Sequence, residues 1–434
     1  MTLNVDLTDV AAHAVFNNEL TGIQRVQIEY ARALARLHPG RIQVFSNAGN
    51  VYHDLRPHFL ESDKTTSDIF ADIRRRYRFP LFFPFRPLLK AKIAGRGGAA
   101  AGAALASRLG HGDTLYVGGA FWAHPRSIAG YERAARAGCD IVVLFHDFIP
   151  LSFPGLASSR VRPAFERMLR LPARTITISE HTRSQLEQAR RAIRAPAHLP
   201  PATVVPLPHE FSAAPRNHAP SEPPSVRTAM LDRMGRFALC VGTVEIRKNH
   251  GRLLKLLESL AREAGSGWPK LFIAGKAGWQ AGETLRMLRR ADRGAPYLWI
   301  EEPTDKELVW LYGRSAFTVF PSLAEGWGLP IGESLWFGKP CVASNATSMP
   351  EVGGSLCFYG DPHDIDTFAD PIIRLVREPE FHASAVAAIK ASRLRTWAEA
   401  ASQVIAAVSQ TPKGRPWPSR MSLPPDVHLH RQAE

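Results

Sequence analysis

Two glutamates, Glu325 and Glu333, stand eight positions apart in SAFTVFPSLAEGWGLPIGESLWFGKPCVAS, residues 315–344. The stretch reads as a strand ending at Phe320, a loop, and a helix starting near Leu329. Pro330 suits the first helical turn, and Gly338 suits the C-terminal cap. Glu325 then lies in the loop and Glu333 about one turn inside the helix. A carboxylate facing a pocket can accept hydrogen bonds from vicinal sugar hydroxyls. Gly326 and Gly328 let the backbone approach a ligand closely. The helix start offers free N–H groups and a positive dipole end, which suit a diphosphate.

A second group lies in LCVGTVEIRKNH, residues 239–250. A strand runs into the turn Gly242-Thr243, and Arg247 and Lys248 follow. Asn249 is predicted to N-cap the next helix, which Gly265 closes. Two adjacent cations at a strand-to-helix junction are placed to neutralise a leaving diphosphate. In TGIQRVQIEYARAL, Gly22 sits in a turn before a helix whose apolar face is Ile23, Val26, Ile28 and Ala31. In IVVLFHDFIPL, an apolar strand delivers His146 and Asp147 at its carboxyl end, where open α/β sheets bind ligands. Asp147 reads as orienting His146 or capping a turn, and Arg25 as supporting its own loop or helix. Glu180 and His181 read as a cap of the next helix. Glu351 reads as a helix-start carboxylate outside the site.

The elements that hold these residues alternate between short apolar runs and helical patterns, which argues for parallel sheets covered by helices. RIQVFS, TLYVGG, IVVLFHD, RTITIS and ATVVPL are the strands of the first half. FALCVGT, KLFIAG, YLWIEE, FTVFPS and PCVAS are those of the second. Residues 211–227, rich in Pro, Ser and Ala, show no period and read as a flexible linker. The expected division is a domain over 1–210, the linker 211–227, a domain over 228–390, a final helix over 391–410 and an irregular tail over 411–434.

The 434 residues are 45% hydrophobic and 22% charged, an ordinary globular composition. Lysine and arginine exceed aspartate and glutamate by 54 − 40 = 14, which favours an anionic partner. The four cysteines form no CxxC pair, so neither a disulfide scaffold nor a zinc site is expected, and a reduced cytosolic chain is the simplest reading. The opening MTLNVDLTDV lacks the basic and apolar regions of a secretory signal. No apolar run is long enough to span a membrane. Within an insertion at 73–96, eight basic residues and no acidic ones interleave with five aromatics. Arg74, Arg75 and Arg76 with Phe82, Phe83 and Phe85 read as a patch for an anionic membrane surface, or else as a loop packed on the first domain. The arginine-rich stretch 160–194 reads as a solvated helix face.

The E-x7-E pattern in EGWGLPIGE, preceded by FPS and followed by FGKPCVAS and MPEVGG, is similar to family 4 glycosyltransferases. VGTVEIRKN, LFIAGKAGW, TDKELVWLYGRS and the final Trp-containing helix follow the same family order. TGIQRV and HDFIPL resemble its bacterial polysaccharide-assembly branch, which includes lipopolysaccharide mannosyltransferases. The resemblance implies the α/β GT-B architecture: two Rossmann-like domains facing a cleft, with the last helix crossing back to the first. It implies sugar transfer from a nucleotide-diphosphate sugar with retention of configuration, without a cofactor or essential metal. It assigns Glu325 to the donor sugar hydroxyls, Glu333 to the ribose and Arg247 and Lys248 to the diphosphate. Gly22 would close over the phosphates, and His146 would face the donor sugar. Gly326, Gly328 and Leu329 would line the donor site. Thr243 stands where many relatives carry an arginine, which leaves the cationic work to Arg247 and Lys248. The expected donor is GDP-mannose. The expected acceptor is a lipid-linked saccharide or polysaccharide at the inner face of the cytoplasmic membrane. An epimerase or phosphorylase of the same fold stays open. A nucleic-acid-binding protein is the alternative from another class, although no RRM, KH or helix-turn-helix signature is present and nucleic acid is not among the expected partners.

Overall fold

The computed structural model describes residues 2–17, 20–46, 53–56, 59, 64–77, 108–153, 161–265, 267–292 and 294–409. Among these, thirteen strands form two sheets. The first comprises β1 (Leu3–Asp6), β2 (Ile42–Ser46), β3 (His53–Asp54), β4 (Thr114–Val117), β5 (Asp140–Phe145), β6 (Arg174–Thr177) and β7 (Thr203–Val204). Its spatial order is β3-β2-β1-β4-β5-β6-β7, parallel except at β3. The second comprises β8 (Phe237–Val241), β9 (Lys270–Ala274), β10 (Tyr297–Ile300), β11 (Phe317–Phe320), β12 (Cys341–Ser344) and β13 (Phe358–Gly360). Its order is β10-β9-β8-β11-β12-β13, and every pairing is parallel. Both sheets reverse winding direction beside their first strand, and such switch points open a crevice at the strands' carboxyl ends.

The helices that matter for the site are α1 (Thr8–Phe16), α2 (Gly22–Leu37), α3 (Thr66–Tyr77), α4 (Glu180–Ala192), α5 (Val226–Asp232), α6 (His250–Ala264), α7 (Asp305–Arg314), α8 (Leu329–Trp336), α9 (Met349–Gly353) and α10 (Trp397–Ser409). Strand runs such as Ile141–Phe145 are buried throughout, as a sheet covered on both faces requires. In the second domain Phe237 stacks on Phe272 with centroids 4.4 Å apart and on Trp310 at 5.9 Å. Three strands escaped the sequence reading, among them the two-residue β3. LNVD of β1 has polar residues at alternate positions, and FYG of β13 is only three residues long.

Residues 211–227 are not a free tether. Phe211 and Ala214 are buried against the second domain. The Trp336 indole donates to the Ala214 carbonyl at 2.9 Å, and the Asn217 N–H donates to the Trp336 carbonyl at 2.9 Å. Helix α5 already starts at Val226, where Ser225 and Thr228 form a reciprocal capping box. Two apolar side chains among polar neighbours suffice to dock a segment that has no period of its own.

The chain crosses between domains twice, and the crossings are bonded to each other. The His209 N–H donates to the Arg395 carbonyl at 3.0 Å, and the Arg395 N–H donates to His209 Nδ1 at 3.2 Å. Helix α10 then lies on α2, with the Trp397 ring edge-on to Tyr30 at 5.4 Å. Arg174 of β6 donates to the Ala407 and Val408 carbonyls, so a cation sits at the carboxyl end of α10.

Candidate active site

A cleft of about 1320 Å³ opens between the carboxyl ends of the two sheets. Gly22, His146, Thr243, Arg247, Lys248, Glu325, Gly326, Gly328, Leu329 and Glu333 all line it. The structure therefore gathers every donor-site candidate of the sequence into one place.

Glu325 sits in the loop between β11 and α8. Arg247 Nη1 lies 2.5 Å from its Oε2, and Lys248 Nζ lies 2.7 Å from its Oε1. Burial works against the charged carboxylate, but Arg247 and Lys248 outweigh it and hold the group down at about 2. Both cations come from the turn Ile246–Lys248, between β8 and α6. Arg247 also contacts Glu245 at 2.5 Å and donates to the Ala324 carbonyl at 3.0 Å. Lys248 lies 4.7 Å from the Phe320 ring. Asn249 occupies the N-cap position of α6 in a left-handed conformation, with φ of 59°. Its side chain makes no cap and instead donates to the Pro362 carbonyl at 2.9 Å. The left-handed backbone turns that amide away from the helix start.

Helix α8 starts at Leu329 behind Gly328, whose φ of +111° needs glycine. Helix α2 of the first domain starts at Gly22 across the cleft, where an added Cβ would lie 3.7 Å from Leu329 Cδ1. Two helix N-termini therefore meet in the cleft that Arg247 and Lys248 also line. The start of α2 is braced by Asp9 of α1, whose Oδ2 accepts from Gln24 and Gln27 at 2.7 Å each.

Gly326 makes its closest approach to the first domain. An added Cβ would stand 1.9 Å from the His146 carbonyl oxygen and 2.9 Å from Asp147 Cβ. The Gly326 carbonyl accepts from Ser179 Oγ at 3.0 Å. His146 is buried, its Nε2 is 2.7 Å from the Gly118 carbonyl, and burial lowers its pKa. Asp147 accepts from the Ile149 N–H at 3.0 Å and so caps a turn. It also lines the cleft, and burial raises its carboxyl despite Arg247 nearby.

Glu333 lies one turn into α8. Its Oε2 accepts from Tyr312 of α7 at 2.7 Å, and its Oε1 is 3.3 Å from Arg25 Nη1. Arg25 does not support its own helix. It reaches over from α2, donates to Asp305 at 2.8 Å and packs over the Phe211 ring at 5.1 Å. Ser67 of α3 donates to the other Asp305 oxygen. Ser67, Asp305 and Tyr312 are not among the sequence candidates, and Arg25 is read there as supporting its own loop or helix, because the four meet only through the tertiary fold.

Arg74, read as part of a membrane patch, lines the cleft, because α3 carries it there. Arg75 is exposed and pairs with Asp72 at 2.6 Å. The side chain of Arg76, and Phe82, Phe83 and Phe85, lie outside the described residues, as does the tail 411–434. Among the described residues no cluster of His, Cys, Asp or Glu is arranged to hold a metal ion. No helix among them is long and apolar enough to cross a membrane.

Two doubly wound domains facing a cleft define the GT-B class of α/β proteins. Residues 229–393 match the family described as glycosyl transferases group 1, and the chain resembles polysaccharide mannosyltransferases. It is 32% identical over 170 residues to the O-antigen chain mannosyltransferase B of Escherichia coli, covering 39% of this chain and 44% of that protein. It is 25% identical over 245 residues to the Escherichia coli serotype-specific mannosyltransferase WbdA, covering 54% of this chain and 29% of that one. The chain thus spans less than half the length of these curated relatives. Among solved structures, Anabaena HepE in complex with UDP and glucose has a TM-score of 0.63 at 16% identity, covering 95% of this chain and all of that one. That likeness concerns the fold alone.

Proposed function

We propose that the protein is a retaining glycosyltransferase. It transfers mannose from GDP-mannose to a lipid-linked saccharide or polysaccharide, at the inner face of the cytoplasmic membrane. The observation that carries the reading is the placement of Arg247 and Lys248 around Glu325, in the cleft that the N-termini of α2 and α8 also line. Fixed cations and aligned N–H groups in a cleft stabilise the charge of a departing diphosphate without reorganising. Mannose as the sugar and a glycan as the acceptor are supported by the O-antigen and serotype-specific mannosyltransferases that the chain resembles, and GDP as the nucleotide is the expectation of the sequence resemblance.

The cations would hold the diphosphate, Glu325 the hydroxyls of the donor sugar and Glu333 those of the ribose. The C1–O bond to the diphosphate breaks, and its electron pair stays on the phosphate oxygen. The acceptor oxygen bonds to C1 from the same face, and its proton passes to the leaving oxygen. No protein nucleophile is needed, and catalysis rests on positioning and charge stabilisation. The cationic role falls to Arg247 and Lys248, so transfer should persist in EDTA.

A thermal-shift panel with GDP, UDP, ADP and dTDP, on wild type and Glu333→Ala, tests the reading. A nucleotide at 100 times its dissociation constant stabilises by about 2.7 kcal/mol. GDP should raise the melting point of the wild type and lose most of that effect in the variant. A panel in which no nucleotide shifts the wild type, with or without anionic liposomes, overturns the proposal.

A further inference from the structure

Arg25 is a first-domain side chain placed in the second domain's nucleotide pocket. Its guanidinium forks between two carboxylates, with Nη2 at 2.8 Å from Asp305 and Nη1 at 3.3 Å from Glu333. Phe211 lies under the guanidinium, and Ser67 fixes the far side of Asp305. The fork is therefore held by α2, α3, α7 and the crossing segment at once. Resting on the reading of Glu333 as the ribose acceptor, we infer that Arg25 is a positioning residue that keeps this carboxylate oriented for the 2′ and 3′ hydroxyls, so that ribose recognition requires the first domain.

The chemistry follows from counting. An ionised carboxylate has about four acceptor sites. Tyr312 takes one on Oε2 and Arg25 one on Oε1, which leaves one on each oxygen for a vicinal diol. A protonated carboxyl loses an acceptor site and becomes a donor on one oxygen. Glu333 is only 7% exposed, and burial pushes its carboxyl upward, with Arg25 the leading opposing influence. Tyr312 is neutral and cannot replace that charge. Asp305 makes the placement directional, because it draws the second nitrogen of the fork aside and leaves a single one on Glu333.

The test compares binding of GDP with 2′-deoxy-GDP, and of UDP with 2′-deoxy-UDP, by calorimetry on wild type, Arg25→Met and Arg25→Lys. The wild type should favour the ribonucleotide by about tenfold or more, the worth of one charge-assisted hydrogen bond. Arg25→Met should bring that ratio close to one, while affinity for the deoxynucleotide changes less than about threefold, because the diphosphate contacts remain. Arg25→Lys keeps the charge and should restore part of the ratio, and it also serves if the methionine variant does not fold. A ratio unchanged in both variants overturns the role of Arg25. A wild type that binds ribo and deoxy forms equally overturns the ribose assignment of Glu333, and the inference with it. A wild type that binds no nucleotide overturns the transferase reading instead.

Discussion

Glu351 in the second domain caps the helix that begins at Glu180 in the first. Its Oε2 accepts the Glu180 N–H at 2.7 Å, and its Oε1 accepts the His181 N–H at 2.8 Å. The first turn of α4 has N–H groups without intrahelical partners, and a carboxylate is their natural acceptor. Ser179, the N-cap of α4, meanwhile donates to the Gly326 carbonyl. The helix start is thereby fastened to α9 and to the Glu325 loop at the same point.

Removing that fastening should open the cleft. Glu351→Ala is expected to cost about 1 kcal/mol of stability, the usual worth of a helix cap. It should increase the radius of gyration in small-angle scattering and lower kcat more than donor affinity. Glu351→Gln, which keeps one acceptor oxygen, should fall between. Scattering profiles that superimpose for all three proteins would show that the contact does not hold the domains together.

Gly326→Ala tests the same junction from the other side. The new methyl group would stand 1.9 Å from a backbone oxygen, so the loop and His146 must separate. Overpacking of this kind costs about 1–3 kcal/mol. Transfer should be lost while a nucleotide still protects the second domain against proteolysis. Wild-type transfer by this variant would mean that the domains do not need this approach.

Glu325 makes stability depend on pH in a defined window. Its folded value, about 2, lies below the ordinary 4.5. The stabilisation is therefore fully present above pH 4.5 and is lost as pH falls from there through about 2. Urea unfolding of wild type at a series of pH values should show that loss, and Glu325→Gln should show less of it. Glu325→Gln should also abolish transfer. Parallel pH curves for the two proteins would remove the ion pairs with Arg247 and Lys248 from the account of stability.

Trp397→Ala should destabilise the first domain, although the residue follows the second in sequence. Trp397 is buried against Tyr30, and its N–H groups bond Glu210. Truncating a buried Trp costs about 3–5 kcal/mol. Hydrogen exchange should rise in α2 and stay unchanged in β8 and β9. Faster exchange in the second domain alone would contradict the packing.

Local pattern reveals some of this site and hides the rest. Glu325, Glu333, Arg247 and Lys248 could be read because each pair shares one strand–loop–helix unit, whose spacing fixes where the side chains emerge. Two halves of parallel strands covered by helices were likewise visible in the alternation of apolar runs and helices. The partners of Arg25 could not be read, since Asp305 and Glu333 lie 280 and 308 residues away in the chain. Its helix shows only an apolar face and a cation beside it. Glu351 reads as a helix-start carboxylate because acids favour a first turn, yet its partners belong to α4. Asn249 was the right residue type at a helix start. Its left-handed backbone, which no sequence pattern announced, sends the side chain elsewhere.

The return of α10 to α2 also sets the order in which the protein can be completed during synthesis. Tyr30 and its neighbours on α2 leave the ribosome some 360 residues before Trp397, Val404 and Val408. At translation speeds of about 5–20 residues per second, that apolar face waits roughly 20–70 s for its cover. During that interval the second domain can finish folding while the first still exposes a sticky surface. Chaperone demand should therefore persist through that interval, and it should end only when the helix that closes the first domain has been made.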